Sequence, residues 1–332
     1  MLARNYTAGA AALTLAAGVL GPLAAEPAAA QSRVTLKSAS AESSYYVMTV
    51  QLAEMIREQS EGEVIPTVEE SQGSVQNVRE AARRPGAFFF TTPPSLLHKA
   101  EQGAAPFDDG GDYSGIRTLF PMPFVTIHFV VRAETGIDNV TDLKGKTFIA
   151  GGTGTFCHQR STAILDALGL SHAVDTPDME LSGAPAALRN KQAAGYVTCS
   201  SHPTPQLQEL GTMVDLKLLS FTPEQRETLL AMGPGTGPVT IDASTYEWLQ
   251  EPVQTVGVPV GGYAVNMDDT TAELIVEQFW RQREELAKEN PWWAGVRTSQ
   301  VQTLLAPLHP GVVDYYQSKG VEIPDAMLPD GQ

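Results

Sequence analysis

From Ser32 onward the chain alternates short apolar runs with longer stretches of helical period. Arg33-Val34-Thr35-Leu36-Lys37-Ser38 alternates polar and apolar residues and predicts a strand. A small-residue loop over residues 38–44 leads into a helix with Val47, Val50, Leu52, Met55 and Ile56 on its apolar face. Gly62 ends that helix, residues 63–68 predict a second strand, and the turn Ser71-Gln72-Gly73-Ser74 opens a helix over residues 75–83. Ala87-Phe88-Phe89-Phe90 is a short buried strand ending on Thr91-Thr92-Pro93-Pro94. Strands and helices in this alternation predict parallel β/α units.

Two more strands are predicted at residues 116–120 and 125–132, the second long enough to cross between two lobes. A second β/α set starts at residues 144–150. Its strand runs into Gly151-Gly152-Thr153-Gly154-Thr155, and the helix that follows ends at Leu168 with Gly169 as its cap. A strand over residues 195–198 ends on Cys199-Ser200-Ser201-His202, residues 255–266 predict the return crossing, and amphipathic helices close the chain from Thr271. The expected fold is α/β with two lobes, each a mostly parallel sheet flanked by helices, and a ligand cleft between them. Residues 33–131 with 255–328 form lobe 1 and residues 132–254 form lobe 2. A chain of 332 residues also exceeds the size at which one core stops growing.

Composition changes this picture in three places. Arg4, an uncharged apolar stretch over residues 8–23, and the small run Ala28-Ala29-Ala30 predict a secretory signal over residues 1–30, cleaved near Ala30. No later segment is apolar enough to span a bilayer, so membrane insertion of the mature chain is not expected. The net charge is −16, from 22 basic and 38 acidic residues; this argues against nucleic acid or an anionic membrane surface as a partner. Cys157 and Cys199 are the only cysteines. In an exported protein they form either a disulfide or two buried thiols.

The glycine loop at Gly152, Thr153, Gly154 and Thr155 is the strongest local signal. Its glycines allow close backbone approach, and the helix start behind it offers free N–H groups and a positive dipole end to an anion. It lacks the lysine of a P-loop and the third glycine of a dinucleotide loop. Ser43, Ser44 and Tyr45, then Gly73 and Ser74, Thr91 and Thr92, and Ser200 with His202 stand at equivalent strand ends. Ligands of α/β sheets bind at those ends, so together the loops predict a cleft for a small polar solute. Arg160, on the helix after the glycine loop, is a candidate to neutralise a carboxylate, as are Arg117 and Arg132. A thiol–imidazole nucleophile from Cys157-His158 or from Cys199 with His202 is the catalytic alternative. The six histidines show no metal-ligand spacing, and no cofactor or metal is expected. Trp292-Trp293 predicts packing.

Several of these segments together resemble the TAXI family, the extracytoplasmic solute receptors of TRAP (tripartite ATP-independent periplasmic) transporters. The likeness rests on Ser44-Tyr45-Tyr46, Gly73-Ser74-Val75-Gln76-Asn77-Val78, Val130-Val131-Arg132-Ala133 and Asp142-Leu143-Lys144-Gly145-Lys146. It continues through Gly152-Thr153-Gly154-Thr155, Pro203-Thr204-Pro205, Thr255-Val256-Gly257-Val258 and Leu308-His309-Pro310-Gly311. The resemblance implies a type II-like periplasmic binding protein that closes on a small carboxylate, such as a dicarboxylate or acidic amino acid, and delivers it to a membrane-embedded TRAP permease without catalysing a reaction. It also implies ligand contacts from the Ser-Tyr loop, Gly73-Ser74, the Gly-Thr loop and residues 199–202. The chain departs from the family at its glycine-poor first loop, at Arg83-Arg84-Pro85-Gly86, at Thr92-Pro93-Pro94, and at Cys199 and His202. These departures narrow the implied ligand no further than a small organic anion. A Cys/His hydrolase or a ligand-sensing module for a signalling partner are the alternative functions.

Overall fold

The computed structural model describes residues 31–233 and 235–329 together with Met1. Apart from Met1, the expected export signal lies outside the described residues, and no helix among them is long and apolar enough to cross a membrane. The chain opens with β1 (Ser32–Lys37), α1 (Ser44–Gln59), β2 (Val64–Glu69), α2 (Ser74–Ala81), β3 (Ala87–Thr92), α3 (Pro94–Glu101) and the long β4 (Arg117–Arg132). There follow β5 (Phe148–Ile149), α4 (Phe156–Ala167), α5 (Ala184–Arg189), β6 (Gly195–Ser200), α6 (Pro205–Gly211), β7 (Leu216–Leu218), α7 (Pro223–Leu230) and β8 (Gly237–Ile241). The second long strand β9 (Val253–Val265) leads to α8 (Asp269–Glu289) and α9 (Val313–Ser318).

The strands form one mixed sheet in the order β2-β1-β3-β9-β4-β6-β5, with β7 beside β4 and β8 beside β9. Pairing is parallel among β1, β2 and β3 and between β5 and β6. It is antiparallel wherever β4 or β9 takes part. The outer strands thus keep the parallel order expected of β/α units, and the two crossing strands run against their neighbours. β3 pairs with residues 261–265 of β9, whereas β8 pairs with residues 253–257. On β4 the partner β6 meets only residues 126–131. Two half-sheets therefore share β4 and β9.

The two strands predicted at 116–120 and 125–132 are one strand. Pro121 and Pro123 lie within it, although proline gives no N–H to a ladder. The β4–β9 register slips between Thr118 and Phe120 and again between Met122 and Val125; Pro123 falls in the second slip, whereas Pro121 stays in register with Gly261.

Helices cover both faces of the sheet, which is why β3 reads as an unbroken apolar run. Phe88, Phe89 and Phe90 are all fully buried. Phe89 stacks on Phe120 of β4, and Phe120 in turn lies 4.1 Å from Phe279 of α8. Trp293 is buried against Phe279, and its indole N–H reaches Gln51 of α1 at 3.0 Å. The Trp292-Trp293 pair packs, as its sequence predicts. A smaller apolar cluster around Tyr196, Leu188 and Leu207 holds the outer side of the second half-sheet.

Lys37, at the end of β1, is almost fully buried. Its ammonium lies 2.8 Å from Glu80 and 3.6 Å from Glu69, and Arg84 reaches Glu69 at 2.6 Å and Glu80 at 3.2 Å. A buried cation needs such partners. The Arg84 hydrogen bond is the main reason the Glu69 carboxyl stays below its usual range. Burial pushes Glu80 the other way, but its bonds to Lys37 and Gln76 outweigh that. These four residues form a neutral unit between α2 and the ends of β1 and β2.

His128 of β4 is fully buried, has no hydrogen-bond partner on either ring nitrogen among the described residues, and lies 6.2 Å from the ring of His202. Burial, and secondarily the neighbouring His202, push its pKa down to about 3. Below the ordinary histidine pKa of 6.5 the unfolded chain therefore binds a proton that the folded one refuses, so stability is full above pH 6.5 and falls toward pH 3. Urea unfolding at pH 8 and pH 5 tests this. His128→Leu should remove about 2 kcal/mol of the stability lost between those values, and an unchanged pH dependence would show that His128 is not its source.

Candidate functional site

The hydroxyl-rich strand ends converge on one cavity of about 410 Å³. Ser43, Tyr45, Gly73, Ser74 and Thr91 reach it from the first half-sheet, and Thr155 and Ser200 from the second. Three helices begin at its wall: α1 capped by Ser43, α2 by Gly73 and α4 by Thr155.

Each helix start has a local cause. The Ser43 hydroxyl accepts the Tyr45 N–H at 3.2 Å, the usual N-cap bond. Gly73 has φ +104°, a conformation other residues strain to adopt, and this turns the chain from β2 into α2. Asn77, one turn on, is fully buried, and its amide donates to the Ser38 carbonyl at 2.7 Å and the Thr91 carbonyl at 3.1 Å. It thereby ties the ends of β1 and β3 together beside the cavity. At α4 the Thr155 hydroxyl accepts from the His158 N–H at 3.1 Å and donates to the Gly152 carbonyl at 2.6 Å. Gly151 has φ +77°, and a Cβ there would lie 2.7 Å from the His158 nitrogen, so only glycine lets β5 run directly into this helix.

These turns leave the backbone N–H groups of Ser74, Val75, Phe156 and Cys157 without an acceptor among the described residues. They are the first-turn donors of α2 and α4, where the helix dipoles are positive. Among the described residues no lysine or arginine lines the cavity, whereas Glu42, Glu70 and Glu180 do. The positive potential available to a ligand there is therefore supplied by backbone alone.

A chain of hydroxyls joins the two half-sheets at the cavity edge. Ser44 is fully buried and donates to the Ser201 carbonyl at 2.9 Å. Its one proton is then spent, so Ser200, 2.6 Å away, donates to Ser44 and accepts from Ser43 at 3.0 Å. The Gln206 side-chain amide, on α6, donates a hydrogen bond to the Glu42 carboxylate at 2.8 Å.

The remaining candidates stand elsewhere. Thr92 is buried one residue behind Thr91. Gly152 packs on Leu181, where a Cβ would meet the Leu181 nitrogen at 2.6 Å. Thr153 and Gly154 line a neighbouring groove and not the cavity itself. Arg160 does not line the cavity; its guanidinium donates to the Thr236 hydroxyl. His202 faces a separate pocket of about 240 Å³ with Trp292 and Gln300, and its Nδ1 lies 2.9 Å from the Thr126 hydroxyl. Burial, only partly opposed by Asp242, lowers its pKa. Cys157 and Cys199 do line the cavity, and they are joined as a disulfide with their Cα atoms 5.5 Å apart. Neither can then supply a thiolate nucleophile. Among the described residues no three His, Cys, Asp or Glu side chains are placed to hold a metal ion.

Glu70, Gln72, Gln76, Glu180 and Gln206 also line the cavity, and none was singled out as a site residue from the sequence. Gln72 and Gln76 were within reach of the sequence, since they flank the Gly73-Ser74 turn. Glu180 sits in a loop far from any predicted strand end.

Two half-sheets sharing two crossing strands, with helix starts facing a cavity between them, define the fold of the two-lobed periplasmic binding proteins. The periplasmic binding protein BugD superimposes with a TM-score of 0.54 at 16% identity, over 89% of this chain and 99% of that one. A TRAP periplasmic solute-binding protein from Desulfovibrio desulfuricans with bound sn-glycerol-3-phosphate gives 0.49 at 14% identity, over 88% and 85%. The alkanesulfonate-binding protein SsuA from Xanthomonas axonopodis pv. citri, bound to MOPS, gives 0.46 at 16% identity, over 89% and 92%. Residues 36–320 match the NMT1-like family, and the chain belongs to it.

The disulfide ties α4 to β6 across 42 residues. Closing a loop of that length stabilises a fold by about 2–4 kcal/mol. The double variant Cys157→Ser, Cys199→Ser should lose that amount in urea unfolding, and the wild-type protein should lose the same on reduction. A loss below about 0.5 kcal/mol in both would mean the cross-link is not a stabilising element.

Proposed function

We propose that the chain is an exported, periplasmic solute-binding protein of TAXI type. In this reading it captures a small organic anion, a carboxylate, and delivers it to a TRAP permease. The lobes part at the two crossings, residues 122–125 of β4 and 257–260 of β9, and close over the cavity by hinge bending there. The observation that carries the reading is the convergence of α1, α2 and α4 on a single cavity, with unpaired first-turn N–H groups on two of them. Such groups hold a carboxylate without a cationic side chain.

In this reading Ser43, Tyr45, Ser74, Thr91, Thr155 and Ser200 contact the solute, and Gly73 with the backbone of residues 156–157 seats its anionic end. Ser44 acts one step away, by holding Ser200. Arg160 is not part of the anion seat. Glu42, Glu70 and Glu180 disfavour a second anionic group inside the cavity and favour hydroxyl or amino substituents there. The hydrolase alternative has no free thiol to rest on.

Thermal unfolding of the mature protein against carboxylates, amino acids, sugar acids and neutral sugars tests the proposal. A ligand at 100 times its dissociation constant adds about 2.7 kcal/mol, on the order of several degrees for a chain of this size. A carboxylate should give that shift. Ser74→Glu, which sets a negative charge among the free N–H groups of α2, should abolish it while leaving the unliganded melting temperature within a few degrees. Stabilisation by neutral or cationic solutes alone, unaffected by Ser74→Glu, would sink the anion reading.

A further inference from the structure

Beside the cleft lies a groove of about 680 Å³. The two spaces adjoin, since Gln72, Gln76 and Thr155 line both. One wall is the face of α2 and its exit, carrying Gln76, Arg79 and Arg83, and the opposite wall is the Thr153–Gly154–Thr155 loop of the other half. The groove therefore spans the same two halves as the cleft.

Its charge is opposite to that of the chain. The protein carries −16 overall, yet Lys37, Arg79, Arg83 and Arg84 all line this groove against only Glu69 and Glu80. Lys37 and Arg84 are consumed by those two carboxylates in the neutral unit described above. Arg79 and Arg83 remain. Arg83 meets Asp109 at 2.6 Å, a residue outside the groove, and its side chain is still largely exposed. Arg79 meets no carboxylate among the described residues; its one hydrogen bond is to the Pro106 carbonyl at 2.7 Å. The Asp109 carboxylate faces both guanidinium groups, so the pair keeps one net positive charge and not two. Guanidinium groups also present paired donors that match the oxyanions of carboxylate, phosphate and sulfonate.

We propose that this groove is a second anion subsite, in which Arg79 and Arg83 hold a terminal oxyanion group of a solute whose other end lies at the free N–H groups of the cleft. The inference rests on the binding-protein reading above and deepens it: the solute is an elongated dianion. The acidic lining of the cleft itself agrees, since it excludes the second negative group from the cavity and directs it toward the arginines. The shared chemistry is the oxyanion, and the source, a second carboxylate, a phosphonate or a sulfonate, is set by the test.

Isothermal titration of the mature protein provides that test, using propionate and butyrate as monoanions, the dicarboxylates from malonate to adipate, and 3-phosphonopropionate and 3-sulfopropionate. At least one dianion should bind tenfold or more tightly than the monoanions. The double variant Arg79→Gln, Arg83→Gln should lose that tenfold advantage while binding monoanions as the wild type does, which also shows that the variant is folded. The dianion series with the largest loss identifies the terminal group. If the double variant binds every dianion as the wild type does, or if dianions bind no better than monoanions, the groove is not a subsite, although the receptor reading stands. If no anion binds at all, both readings fail together.

Discussion

The structure depends first on the ladder between β4 and β9. Among the described residues these two antiparallel strands are the only sheet elements that belong to both half-sheets, and nearly every residue along them is buried. Once they pair, the ends of β1 and β3 on one side and of β5 and β6 on the other must face each other across the crossing. The cavity follows from that geometry before any ligand chemistry enters. The same ladder is least regular between Met122 and Val125, where Pro123 gives it no donor. The fold thus places this irregular pairing at the position of the proposed hinge. The Tyr45 hydroxyl donates to the Pro123 carbonyl at this point, so the first helix of the cleft touches the crossing directly.

The electrostatics of the cleft follow from how the helices begin. An acidic protein that binds an anion can place a cation in the site or use the backbone. The described residues place no lysine or arginine in the cavity and leave N–H groups unpaired at the starts of α2 and α4, which suits the second arrangement under the proposed function. The cations lie outside, in the groove, and half of them are neutralised by Glu69 and Glu80. The hydroxyl relay from Ser43 through Ser200 and Ser44 to the Ser201 carbonyl adds direction, because each proton can point only one way. It fixes the cavity edge only while both halves are together. In the proposed reading, binding and closure are coupled through these few bonds.

Much of this was legible in the sequence, for identifiable reasons. Buried parallel strands are short and almost wholly apolar, so Phe88-Phe89-Phe90 declared itself. Glycines that a turn requires, Gly73 and Gly151, stand beside the hydroxyls that line the cavity, so the strand-end loops declared the cleft. What failed to show depends on direction. Arg160 lies one helical turn beyond Cys157, which does line the cavity, yet its guanidinium is taken by Thr236 from a distant loop. His202 follows Ser200 and Ser201 in the same segment but faces the far side of the crossing strands, toward Thr126 and Trp292. Proximity in sequence placed both near the site, and only tertiary contacts could turn them away.

The same limit explains the acidic lining and the basic groove. Glu180 and Gln206 come from loops and helix starts with no spacing relation to the other cavity residues, so no pattern could assemble them. Arg79 and Arg83 likewise stand in no spacing that relates them to the cavity residues. They acquire a different meaning only because α2 begins at the cleft. A helix whose first turn seats one anionic group necessarily presents its next turns along the path leading away from that group. Gln72 and Gln76 occupy both spaces and mark that path. The orientation of α2 that makes Ser74 part of the cleft is therefore also what sets Arg79 and Arg83 on the wall of the groove beside it.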